Sequence, residues 1–123
     1  MAKNHITYQE ASEQYPGFVV IVPHFYMFRT FDDNARVLSY LIESKLLSTK
    51  DGLLTASSNI DDILSTLNDH HVNYIYLSGG EIVDSNTFKD NAYYRYLELG
   101  KTLPLWYYND STQKFDIENK QIL

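Results

Sequence analysis

The residues of this chain that could do chemistry are four histidines, two neighbouring aspartates and one paired glycine turn. His24 stands beside Phe25, Tyr26, Met27, Phe28 and Arg29, and is the histidine best placed to sit in a cleft. As a general base it would need a carboxylate to orient it and a substrate nucleophile within hydrogen-bond reach. No nucleophile is marked by its neighbours, so a hydrogen-bonded structural role is the simpler reading. His70 and His71 are adjacent and cannot both aim at one ion from a regular helix, where ligands at i and i+4 share a face; they read as a polar helix end near the negative pole of the dipole. Ser78-Gly79-Gly80 lacks the spacing of a phosphate-binding loop and reads as a turn. Asp61 and Asp62 are explained by a helix start. No catalytic residue, metal ligand or cofactor is therefore expected, and without a G-x-x-x-x-G-K-[ST] loop no nucleotide is expected either.

Aromatic side chains are the unusual asset. The chain has 11 tyrosines, among them Tyr93, Tyr94, Tyr96, Tyr107 and Tyr108, each with a hydroxyl that prefers water or a partner. They either wrap a small core with their hydroxyls at its rim or form a binding patch. Four large apolar or amphipathic side chains, Phe25, Tyr26, Met27 and Phe28, arrive where a strand is leaving its sheet, and Arg29 adds a cation. These five residues are the candidate binding site; the competing reading is that all five complete the core.

The elements that must position them alternate along the chain. Thr7 and Glu10 have capping-box spacing for a helix to Gln14, on which Tyr8, Ala11 and Tyr15 share a face. Phe18 to Val22 is a continuous apolar run rich in β-branched residues, which predicts a strand buried on both faces and ended by Pro23. Asp32 and Asp33 begin a helix as N-cap and first-turn carboxylates, and Ala35, Leu38, Leu41, Ile42 and Leu46 stripe it to residue 46. Asp51-Gly52 marks a turn before a short strand, and Ser58 with Asp61 opens another helix carrying Ile60, Ile63, Leu64 and Leu67. Tyr74 to Leu77 predicts a strand closed by Gly79-Gly80. Phe88, Ala92 and Tyr96 predict a third long helix that Gly100 ends. Leu103 to Tyr108 and Lys114 to Glu118 predict a hairpin, with Pro104 favouring an edge. The fold class expected is α/β, one domain over residues 1–123 with a mixed sheet and helices packed on it.

The stretch from Tyr15 to Ala35 resembles the opening of the N-terminal mismatch-recognition domain of the bacterial repair protein MutS. There a Tyr-Pro pair precedes an apolar strand, a Gly-Asp-Phe-Tyr-Glu segment, and aromatic and acidic residues before a helical Ala. Aligned on Tyr15-Pro16, the match runs without a gap to Ala35, with Phe31 on a family Phe and Asp33 on an acidic position. It continues through Leu53 to Leu77 and ends after Gly80. The resemblance implies a stand-alone relative of that domain, a non-catalytic binding or adaptor module with weak DNA association or a DNA-processing protein as partner. In the family a Phe wedges beside a mispaired base and a Glu two residues on bonds it. Met27 takes the Phe position and Arg29 the Glu position; sliding Phe25-Tyr26 onto the family's Phe-Tyr puts Met27 at the Glu. Either way the Glu is missing.

Composition sets the remaining expectations. With 123 residues and 44% hydrophobic content, one core suffices. There is no cysteine, which suits a reducing, cytoplasmic setting. The first residues lack a signal-peptide core, and no run approaches the roughly 20 apolar residues of a membrane span. The net charge is −6, and all of it lies beyond residue 50: five basic and five acidic residues precede Asp51, five basic and eleven acidic residues follow from it. Any basic face must be local, with Arg29 and Arg36 as its candidates. Two further functions follow from these features. One is an acidic protein that imitates DNA charge, which needs the carboxylates of residues 51–123 on one face. The other is a small enzyme using His24, which needs a pocket joining it to an Asp or Glu.

Overall fold

A computed structural model describes residues 5–117. In chain order the elements are α1 (Tyr8–Gln14), β1 (Val19–His24), β2 (Met27–Phe31), α2 (Asp32–Ile42), β3 (Leu46–Thr49), β4 (Gly52–Ser57), α3 (Ile60–Asp69), β5 (Tyr74–Ser78), β6 (Glu81–Asn86), α4 (Tyr93–Gly100), β7 (Leu105–Asn109) and β8 (Lys114–Ile117). The strands form one mixed sheet in the order β6-β5-β1-β2-β4-β3-β7-β8. Two pairs are parallel, β1 with β5 and β3 with β7; the other pairs are antiparallel. The α/β class with a mixed sheet and packed helices is as the periodicities predict.

β1 is an interior strand and Val19, Val20 and Ile21 are fully buried. Alternation explains why every residue of the run is apolar. Val19 and Ile21 join Val37 and Leu38 of α2, Ile63 and Leu67 of α3, and Tyr93 and Leu97 of α4. Val20 points the other way, to Ala11 of α1, Ile75 and Leu77. Each buried aliphatic side chain contributes about 2 kcal/mol. Leu41 and Ile42 pack at the border of the larger cluster.

Several boundaries differ from the sequence reading. Pro23 does not end β1, which continues to His24 and pairs with a strand not predicted, β2. α2 stops at Ile42, with Glu43 in the left-handed region at φ 58°, so Leu46 is not its last ridge. Leu46 opens β3 and is buried by the sheet, because a helical spacing of four does not distinguish a last helical turn from a following strand. Asp32 is not the N-cap of α2; Phe31 is, without a side-chain bond. α3 is capped by Asn59, whose Oδ1 accepts the Asp62 N–H at 3.0 Å, one residue after the predicted Ser58.

The helix expected from Phe88 begins only at Tyr93. Phe88 instead stacks on His71 with ring centroids 4.8 Å apart, and its N–H donates to Asn73 Oδ1. Gly100 closes α4 against α2: a Cβ there would sit 2.4 Å from the Arg36 carbonyl oxygen, so the two helices approach at a distance other residues forbid. Gly79-Gly80 closes a hairpin to the unpredicted edge strand β6, exposed along its whole length. The β7–β8 hairpin forms as expected, while Glu118 lies outside the described residues. β7 is an interior strand between β3 and β8, not an edge; Pro104 precedes it and so removes no ladder bond.

Candidate binding hairpin

The segment from His24 to Arg29 is the end of the β1–β2 hairpin. Val22 pairs with Arg29, Pro23 with Phe28 and His24 with Met27, which leaves Phe25 and Tyr26 as a two-residue turn. Both rings stand in solvent, 88% and 89% exposed. Phe25 has φ 56°, a conformation that an L side chain with a bulky ring adopts at a cost and that glycine adopts freely. Its ring rests edge-on against His24 at 4.6 Å. Met27 is 39% exposed at the base of the turn.

The five candidate residues therefore do not form one cluster, and the reading that all five complete the core is overturned. Phe28 faces the large core and meets Tyr76 edge-on at 5.9 Å. Arg29 lies on the opposite face, its guanidinium 5.1 Å from the Phe31 ring centroid and its Nε buried without a hydrogen-bond partner. Arg36 belongs to α2, which covers the other side of the sheet, so the two arginines do not share a basic face.

Beside the hairpin's far end lies an open groove of about 620 Å³ between α1 and the first turns of α2 and α4. Tyr8, Tyr15 and Tyr94 wall it, and Glu13, Asp32, Asp33 and Asp51 rim it. Three of those four carboxylates come from the charge-balanced first fifty residues rather than the acidic part. Beneath it the buried Asn34 amide joins four elements. Oriented so that each atom meets a complementary partner, its nitrogen donates to the Phe18 carbonyl at 3.0 Å and to the Tyr93 hydroxyl, while its oxygen accepts from Tyr8 Oη at 2.9 Å and the Val20 N–H at 3.3 Å. Burial, reinforced by the Asp33 charge, pushes the Tyr93 phenol well above the usual tyrosine range. A phenol held protonated is a structural hydrogen-bond node rather than an acid or base near neutrality. Nothing local in the sequence marks this network, whose members lie 26 and 59 residues apart.

The histidines diverge. His24 lines neither this groove nor the depression beside α3 and α4. His70 caps α3 and its Nδ1 lies 2.8 Å from the Thr66 carbonyl oxygen. His71 turns away to Asp90, with Nδ1 2.9 Å from Oδ2. That hydrogen bond holds the Asp90 carboxyl below its ordinary value. The two imidazoles thus serve a helix end and a surface hydrogen bond to a carboxylate, and among the described residues no three acidic or histidine side chains converge as metal ligands do. The tyrosines divide as well: Tyr74 and Tyr93 are buried, whereas Tyr26, Tyr94 and Tyr108 are more than half exposed. Among the described residues no helix is long and apolar enough to cross a membrane. No protein-family model matches this chain, and no curated protein matches it.

Proposed function

We propose that this chain is a non-catalytic binding module related to the MutS mismatch-recognition domain, and that it touches duplex DNA weakly through the tip of the β1–β2 hairpin. The observation that carries this reading is Phe25: a phenylalanine at φ 56° and 88% exposed contributes strain and no core burial, so folding alone gives no reason for it. The turn also supports the ungapped register of the resemblance. Phe25 and Tyr26 fall on the family's Gly-Asp, and Phe25 holds the positive φ that suits a glycine. Met27 then stands at the wedge position, with its side chain partly in solvent. An exposed aromatic or thioether side chain at this place can insert at a base step. Arg29, in place of the recognition Glu, packs over Phe31 and offers no acceptor to a base. Mismatch discrimination by the family's mechanism is accordingly absent from the proposal.

The test is a titration of labelled matched and mismatched duplexes at low and at physiological salt, about 50 and 150 mM, with the parent chain and the Phe25→Ala, Tyr26→Ala double variant. Weak binding of both duplexes that the double variant loses supports the reading. Binding unchanged in the double variant, or a strong preference for the mismatch, overturns it.

A further inference from the structure

Beyond the strip that α1 covers, where Tyr8 meets Phe31 edge-on at 5.0 Å, the same face of the sheet carries a second surface formed by strand register. Phe31 pairs with Leu54, Leu54 with Leu47, Leu47 with Trp106, and Trp106 with Ile117. Directly paired residues point to the same side of a sheet, so these five side chains make one row across β2, β4, β3, β7 and β8. The residues before them in sequence, Thr30 and Leu46, are buried and point to the helix side. None of the five row residues is buried, although all are large and apolar. Tyr108 and Phe115, paired and in edge contact at 5.4 Å, extend the same face by one row.

The charged side chains seated on the rings of this row are both basic, while carboxylates stand at its borders: Asp32, Asp33 and Asp51 beside Phe31, and Glu43 beside Trp106. Arg29 lies over Phe31, and the Lys45 ammonium lies 4.4 Å from the Trp106 ring centroid. Neither is in an ion pair among the described residues. In these five strands the one carboxylate is Asp116, which pairs with Tyr107 and so points to the other side.

We propose that the face bounded by Arg29, Phe31, Trp106 and Tyr108 binds single-stranded nucleic acid. Unstacked bases supply π faces for the exposed Tyr108 and the half-buried Trp106, and the phosphodiester supplies the anions that Arg29 and Lys45 lack; aromatic rings beside unpaired cations are what strand-tracking platforms share. A duplex hides its base faces and so cannot offer them to these rings. The proposal does not depend on the hairpin tip, which lies at the end of two of the strands and is tested with different variants.

Trp106 is the sole tryptophan, so its fluorescence reports on this face directly. Titration with an oligothymidylate of about 12 nucleotides should quench it, with a log–log salt slope of roughly −1.4 for two cations. The Arg29→Gln, Lys45→Gln variant should weaken binding about tenfold with its melting temperature unchanged, and Tyr108→Ala by about fivefold or more. The Phe25→Ala, Tyr26→Ala variant should bind the oligonucleotide as the parent does, even if duplex association is lost. Absence of quenching, equal quenching by a duplex of the same length, quenching by anionic lipid vesicles in place of the oligonucleotide, or unchanged affinity in the Arg29→Gln, Lys45→Gln variant would each overturn the proposal.

Discussion

The Asp32 carboxylate, in the first turn of α2, accepts the backbone N–H of Leu53 at 3.1 Å and so fastens the helix start to the β3–β4 hairpin. Gly52 lies between them. A Cβ at residue 52 would stand 2.6 Å from Asp32 Oδ1, and the backbone there has φ +119°, which L side chains rarely adopt. Gly52→Ala is therefore expected to cost about 1–3 kcal/mol through strain and the displaced carboxylate. A chemical-denaturation curve measures this, and an unchanged midpoint would show that the contact holds nothing.

Val20→Asp should cost several kcal/mol, about 3 or more, because the side chain enters the apolar cluster of Ala11, Ile75 and Leu77 and finds no partner. Thermal unfolding followed by circular dichroism tests it. A folded variant with the parent's melting temperature would mean that β1 is not closed on the α1 side.

Tyr93→Phe removes a hydroxyl bonded to Asn34 and leaves that amide short of one partner, at a cost of about 1–3 kcal/mol. The alkaline limb of stability should change too. The Tyr93 phenol is held above its ordinary value, so the folded chain keeps a proton that the unfolded chain releases. Its contribution is full below about pH 10, the unfolded value, and is lost as pH rises beyond it. Tyr74, also raised, chiefly by burial, acts in the same direction. Denaturation midpoints measured upward from pH 9 should fall less steeply in Tyr93→Phe than in the parent, and equal slopes would rule the mechanism out.

Phe25→Gly separates strain from function at the hairpin tip. Glycine accepts φ 56° without a Cβ clash, and the ring it replaces is almost wholly in solvent. The variant should be more stable by about 1 kcal/mol while its duplex association falls. Lower stability would show that the ring contributes more to folding, through His24, than its exposure indicates.

The class of the fold and much of its interior follow from local pattern in the chain. The unbroken run Val19–Ile21 can be satisfied only by a strand covered on both faces, and it is; the capping box at Thr7 and Glu10 forms with bonds of 3.0 and 3.1 Å, because its partners lie within one turn. The aromatic and apolar excess at residues 25–28 was legible as more than a strand end requires. Its division was not: that Phe25 and Tyr26 form a turn while Phe28 enters the core depends on where β1 pairs with β2, and a register shift of one residue would exchange every side chain between faces. Leu46 and Phe88 were misplaced for a related reason, since a spacing of four fits a helical stripe whether or not the chain remains helical. The Asn34 network, the Asp32–Leu53 tie and the row from Phe31 to Ile117 join residues remote in the chain and leave no local pattern. Pairing order in the sheet decided them, because it sets which side chains become neighbours across strands about 4.8 Å apart.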